Sequence, residues 1–223
     1  MKSSITLTAS DGHTLSAYQA QPTNTPLGAL VILQEFFGVN QHIRNVADGY
    51  AADGYLTLAP ALFDRVEREV ELPYDAVGMT KGRELRAALA LNQTLLDVQA
   101  AILRAGSHGP VGVIGYCWGG TLAYLSATRL QGLKCAVGYY GAHIVTHATE
   151  RTRVPVILHF AERDEYIPLV DIARIQKEHP AMPIHSYPGT EHGFNCDERE
   201  FFEPKSAALA RQRTLSFIAE HLR

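Results

Sequence analysis

An α/β fold, with a mostly parallel central sheet and helices on both faces, is predicted for this sequence by three observations. Short apolar runs with strand character alternate with segments whose apolar residues recur at helical spacing. Some of those runs, such as Ala-Leu-Val-Ile-Leu at 29–33, are apolar without interruption, which marks a strand buried on both faces. No internal repeat and no linker divides the chain, so 1–223 reads as one domain.

Each element has its own sign. Residues 5–9 and 15–21 flank Ser10-Asp11-Gly12-His13, an Asp-Gly turn that predicts an N-terminal hairpin. The strand at 29–33 is followed by a helix over 40–53 and a return to strand at 55–60. From 83 to 104 the residues Leu85, Leu89, Leu96, Ala100 and Leu103 fall on one stripe and predict a helix. Further strands are predicted at 111–116, 133–138, 154–160 and 184–187. Pro168 can open the helix after the third of these. After Pro204, Leu215, Ile218, Ala219 and Leu222 share a face and predict a closing helix.

Composition bounds the function. A chain of 223 residues that is 46% apolar can bury a substantial core. Its net charge of -3 argues against a nucleic-acid partner gripped through phosphates. The N-terminal residues hold no apolar signal-peptide core and no run is long enough to cross a membrane, so a soluble cytoplasmic protein is expected. Three cysteines, Cys117, Cys135 and Cys196, lack the spacing of a disulfide framework and suit a reducing compartment. Cys135, in a buried strand, reads as core. His143 and His147 stand four apart, but one such pair falls short of a zinc site, and neither metal nor cofactor is expected. The glycines Gly112, Gly115, Gly119 and Gly120 do not make the G-x-G-x-x-G spacing of a dinucleotide site.

What those glycines do make is a turn around Cys117. In Gly115-Tyr116-Cys117-Trp118-Gly119, a strand runs into a helix so sharply that positions two before and two after the tip have no room for side chains. A residue at such a tip, a nucleophile elbow, points out of the carboxyl end of the sheet above helix amides that stabilise a thiolate or an oxyanion. Alone, the pattern fits a packed core cysteine equally well. Two later segments shift the balance. The strand at 154–160 leads into an acidic loop holding Glu162, Asp164 and Glu165, and the strand at 184–187 leads into a glycine-rich loop holding His192. Nucleophile, acid, histidine is the chain order of the α/β-hydrolase fold, with three loops each following a strand. In that fold the oxyanion hole is made by the backbone N–H after the nucleophile, here Trp118, and one after the third strand, here Phe36.

Five stretches carry a likeness that spans nearly the whole chain. Gln34-Glu35-Phe36-Phe37-Gly38-Val39-Asn40, Gly115-Tyr116-Cys117-Trp118-Gly119-Gly120, Gly138-Tyr139-Tyr140-Gly141, Glu191-His192-Gly193-Phe194 and Arg213-Thr214-Leu215-Ser216-Phe217 together resemble the dienelactone hydrolase family, the carboxymethylenebutenolidases. The resemblance implies Cys117 as nucleophile, His192 as proton carrier and Asp164 as orienting acid, four residues before Pro168 as in that family. It also implies that Glu35 meets the thiol and helps to deprotonate it when substrate arrives. Family members hold a substrate carboxylate with arginines, one of them four residues after the histidine. Here that position is Cys196, so Arg199, Arg83 and Arg86 are the candidates, with Tyr140 and Tyr166 matching aromatic pocket positions. The expected activity is hydrolysis of a small, planar, anionic lactone or activated ester by a monomer. The alternatives are a thioester or acyl-transfer enzyme on the same triad and a catalytically silent binding protein.

Overall fold

The computed structural model describes residues 2–222, so Met1 and Arg223 of the expected domain lie outside the described residues. Eight described strands form one sheet: β1 (Lys2–Thr8), β2 (Thr14–Ala20), β3 (Ala29–Leu33), β4 (Leu56–Pro60), β5 (Val111–Tyr116), β6 (Cys135–Tyr139), β7 (Val156–Ala161) and β8 (Ile184–Tyr187). Their order is β1-β2-β4-β3-β5-β6-β7-β8. The hairpin β1-β2 and the β2-β4 pair are antiparallel, and every other neighbour is parallel. Each residue of β3 through β7 is buried, so both faces of the sheet are covered, as the uninterrupted apolar runs predict. The covering helices are α1 (Gln41–Ala52), α2 (Ala76–Ala87), α3 (Leu91–Gly106), α4 (Trp118–Arg129), α5 (Leu169–Glu178) and α6 (Pro204–His221).

Local chemistry sets the ends of these elements. Asn40 caps α1 by accepting the Ile43 N–H, and Asp75 caps α2 by accepting the Gly78 N–H. Glu203 caps α6, with Pro204 at its first position. In the hairpin, Gly12 takes φ +86°, a backbone conformation that side-chain-bearing residues rarely adopt.

Three expectations are corrected. The helix expected over 83–104 is two helices, broken at Ala88-Leu89-Ala90, where no glycine or proline announces the break. The stripe drawn through Leu96, Ala100 and Leu103 is also rotated from the buried one: Leu103 is 66% exposed, while Leu95, Val98, Ala101, Ile102 and Ala105 face the core. Asp97 supplies the physical reason. It is fully buried and takes two hydrogen bonds from Arg65, at 2.6 and 2.8 Å, so an ion pair invisible to hydropathy fixes which side of α3 faces inward. The closing helix is as expected in kind, but its buried face runs through Ala207, Ala210, Thr214, Phe217 and Ile218, and Ala219 is exposed.

Parallel pairing is what assembles a site. β3 and β5 are neighbours with Leu33 opposite Gly115, so the loop after β3 and the turn after β5 emerge side by side. β7 and β8 are neighbours with Ala161 opposite Tyr187, which brings the acidic loop beside the histidine loop.

Candidate active site

Cys117 sits between β5 and α4 at φ +53° and ψ −118°, a conformation rare for a residue with a side chain. The flanking glycines are steric necessities. A Cβ on Gly115 would fall 1.8 Å from the Gly119 carbonyl oxygen, and one on Gly119 would fall 2.3 Å from the Leu33 carbonyl oxygen. The Gly119 N–H donates to the Gln34 carbonyl at 3.1 Å, tying the start of α4 to the loop after β3. Gln34 secures that loop further, its side-chain oxygen accepting the Leu62 N–H at 3.1 Å.

The other two members of the predicted triad converge on this sulfur. His192 Nε2 lies 3.2 Å from Cys117 Sγ, and His192 Nδ1 lies 2.7 Å from Asp164 Oδ2. The second carboxylate oxygen, Oδ1, accepts the Tyr166 N–H at 2.9 Å. Pro168 stands at the N-cap position of α5, with no side-chain capping hydrogen bond. Glu162 instead accepts the Gly189 N–H at 2.8 Å, supporting the histidine loop, and Glu165 is exposed. Of the three acids, Asp164 alone bonds the imidazole. Two tyrosine rings, Tyr140 and Tyr166, stand edge-on to His192 with centroids 5.0 Å away and fix its plane. Burial disfavours a charged His192, but the neighbouring Cys117 sulfur and Asp164 carboxylate outweigh it and push the imidazole up to about 10.

Glu35 is fully buried beside this group, yet its hydrogen bond is to Tyr74, whose hydroxyl donates to Oε2 at 2.9 Å. Its other oxygen, Oε1, and the Tyr140 hydroxyl are buried without a partner among the described residues. Among the described residues, no protein acceptor takes the N–H groups of Phe36 and Trp118.

A cavity of about 410 Å³ opens over Cys117 and His192. Phe36, Trp118 and Tyr166 wall it, and Arg83 and Arg86 stand exposed at its mouth. Arg83 Nη2 lies 3.4 Å from the Tyr166 hydroxyl. The Trp118 ring is held by stacking on Phe63 at 5.5 Å. α2 reaches this mouth because Gly82 packs on Phe36, where a Cβ would fall 1.9 Å from the carbonyl oxygen.

Two expected pocket residues are elsewhere. Tyr140 is fully buried beneath His192 and does not line the cavity. Arg199 lies behind Gly193, its guanidinium over the rings of Phe37, Tyr74 and Phe201 at 5.6–6.0 Å, so those aromatic faces hold it away from the cavity. Thr121 and His143, absent from the sequence-based set, do line it. Thr121 follows Cys117 by one helical turn, and His143 lies on the loop after β6, at the sheet edge where the elbow emerges; both positions were available signals. Tyr74, on an irregular loop, offered none. Cys135 and Cys196 are buried, and burial pushes both thiols up to about 12. The described residues hold no group of three or more His, Cys, Asp or Glu that could bind a metal ion, and no helix long and apolar enough to cross a membrane.

A mostly parallel sheet with a strand-turn-helix elbow, and with acid and histidine loops after later strands, defines an α/β-hydrolase. The model of the dienelactone hydrolase family matches residues 15–222. The carboxymethylenebutenolidase of Pseudomonas putida is 31% identical over 225 residues, covering 96% of this chain and 95% of that protein. A crystal structure of a candidate dienelactone hydrolase from Klebsiella pneumoniae superposes with a TM-score of 0.86 at 30% identity, covering 99% of both chains. The dienelactone hydrolase structure from Anabaena variabilis, at 16% identity and a TM-score of 0.73 over 100% of this chain and 99% of that one, shares the fold. The chain therefore belongs to the dienelactone hydrolase family. It is a carboxylic ester hydrolase of lactone or ester type.

Proposed function

We propose that Cys117, His192 and Asp164 form the catalytic triad of a hydrolase that opens a small anionic lactone or activated ester. The observation that carries this reading is the continuous relay of 3.2 Å from sulfur to imidazole and 2.7 Å from imidazole to a buried carboxylate. In the first step the Cys117 thiolate attacks the carbonyl carbon, and the negative charge moves to the carbonyl oxygen. The N–H groups of Phe36 and Trp118, free of protein acceptors, receive that oxyanion. Collapse of the intermediate breaks the carbon–oxygen bond of the ester, and the His192 imidazolium hands its proton to the departing alkoxide. Neutral His192 then takes a proton from water, the resulting hydroxide attacks the thioester, and the carboxylic acid leaves as the thiolate returns. Asp164 holds the imidazole in one tautomer and stabilises its charge throughout.

Glu35 is assigned a supporting role in removing the thiol proton. Its Oε2 holds the Tyr74 hydrogen bond, and Oε1, without a partner among the described residues, is the oxygen left to take the thiol proton when substrate arrives. Arg83 and Arg86 supply the positive mouth that selects a carboxylate, and the Phe36, Trp118 and Tyr166 rings suit a flat substrate. The test is Cys117→Ala assayed on a panel of lactones and aryl esters, with mass spectrometry for an acyl adduct on Cys117 of the unaltered enzyme. Full turnover by Cys117→Ala sinks the nucleophile assignment.

A further inference from the structure

The segment that carries Tyr74 is fastened to the loop that carries Glu35. The Leu72 N–H donates to the Phe37 carbonyl at 2.9 Å, and Gly38 and Glu71 pair as an isolated antiparallel bridge. Gly38 takes φ +81°, and a Cβ there would fall 1.9 Å from the Val70 carbonyl oxygen, so the two backbones meet at a distance that glycine alone permits. Directly after Tyr74, Asp75 caps α2, and Gly78 packs on Pro73, where a Cβ would fall 2.0 Å from the carbonyl oxygen. The ring is held as well. It packs on Phe37 at 4.4 Å between centroids, stands edge-on to His42 at 6.2 Å and lies 5.9 Å from the Arg199 guanidinium. Backbone and ring are therefore placed without the hydroxyl.

That hydroxyl is spent on Glu35, to which it donates at 2.9 Å. Burial, and after it the Glu35 carboxylate, push the Tyr74 hydroxyl far up, so it stays protonated and serves as a fixed donor. The last torsion of a glutamate is broad and two-fold, so a carboxylate without a partner presents either oxygen. A donor on Oε2 singles out Oε1. Oε1 is buried and has no partner among the described residues. It belongs to the catalytic group: burial, then Glu35 and, more weakly, Cys117 among other neighbours push up the one Tyr140 hydroxyl that both residues flank.

We propose that Tyr74 is a positioning residue for thiol activation, its hydroxyl holding Glu35 by Oε2 so that Oε1 receives the Cys117 proton. In that step the S–H bond breaks with its electron pair left on sulfur, and an O–H bond forms at Oε1. The proton returns to the thiolate after the product leaves. The proposal rests on the reading of Glu35 as the acceptor of the thiol proton, and it adds the residue that aims the acceptor.

The experiment separates acylation from deacylation. Single-turnover release of 4-nitrophenol from 4-nitrophenyl acetate, with enzyme in excess, reads acylation, and decay of the acetyl-enzyme followed by mass spectrometry reads deacylation. Tyr74→Phe keeps the ring contacts and is expected to slow acylation by roughly 10- to 100-fold, the worth of a hydrogen bond to a charged group, while deacylation stays within about twofold. A fold disturbed around the site would slow both steps. In the Glu35→Gln background the same substitution is expected to change acylation by less than about twofold, because the carboxylate it aims is gone. If thermal melting shows Tyr74→Phe to be unfolded, Tyr74→Met, which fills the space without a donor, takes its place. Unchanged acylation in the folded variant, equal losses in both steps, or a full loss repeated in the Glu35→Gln background overturns the proposal. If Glu35→Gln itself leaves acylation unchanged, the proposal falls together with the reading of Glu35, whereas a slow Glu35→Gln beside an unaffected Tyr74→Phe overturns the proposal and leaves that reading standing.

Discussion

Asp164→Asn tests the electrostatics of the site most directly. The substitution keeps the side-chain shape at a position fully buried and 2.7 Å from His192 Nδ1, but removes the anion. In the folded protein His192 is pushed up from 6.5 to about 10, a preference for the charged imidazole of about 5 kcal/mol. Because this value is raised on folding, the stability it contributes is complete below about 6.5 and is lost as pH rises through about 10. On the proposed reading the same titration sets the alkaline limb of activity, since a neutral imidazole has no proton for the leaving alkoxide. The variant keeps the burial that lowers the imidazole and loses one of the two charges that raise it. The alkaline limb of kcat/KM is therefore expected to fall by roughly 1–3 pH units. The rate at neutral pH is expected to drop by roughly 10³–10⁴, as in the strongest precedent for an orienting carboxylate. A pH-rate profile from 5 to 11 on an aryl acetate reads both quantities. An unmoved limb together with a rate within tenfold of the unaltered enzyme refutes the reasoning.

Three further outcomes are expected. Cys117→Gly should lose turnover and, in urea melts above about pH 10 where His192 is neutral in both proteins, gain about 1 kcal/mol of stability, because glycine relaxes the positive φ at the elbow; a less stable protein there argues against stored strain. Gly82→Ala should cut kcat by roughly 10² while lowering Tm by a few degrees, since its Cβ lands 1.9 Å from the Phe36 carbonyl and displaces the oxyanion loop; unchanged kcat would show that Phe36 takes no part. Arg83→Ala or Arg86→Ala should raise KM for an anionic lactone and spare a neutral aryl ester, whereas Arg199→Ala should cost about 1 kcal/mol of stability without changing that discrimination. Loss of charge selectivity in Arg199→Ala alone would reverse the assignment.

The parts that were legible in the sequence are those imposed by sterics or by repeated pattern. The elbow was readable because backbone crowding admits only glycine at 115 and 119, and the strands because burial on both faces demands unbroken apolar runs. The convergence of Cys117, Asp164 and His192 followed from loops that leave one end of a single sheet, where β7 and β8 are neighbours and β6 alone separates them from β5. Helix rotation was less legible. Leucine and alanine are dense enough between 85 and 105 to draw more than one stripe, and the choice belongs to the Arg65–Asp97 pair, whose members are 32 positions apart. Arg199 shows the same limit from the other side, because proximity in sequence to His192 said nothing about which face of the loop its guanidinium would occupy.

Glu35 is where sequence and structure divide most usefully. The sequence places it next to Phe36 in the loop after β3, and the fold buries it there with its Oε2 bonded to Tyr74. A buried carboxylate gains from each hydrogen bond it accepts, and among the described residues this one accepts from Tyr74 alone, with Oε1 unpartnered. His192, by contrast, has both ring nitrogens engaged, so the imidazole is fixed while the carboxylate keeps one oxygen unpartnered among the described residues. On the proposed reading this asymmetry divides the proton work. His192 serves every turnover from a fixed position, and Glu35 contributes through its unpartnered Oε1 when substrate brings the thiol within its reach.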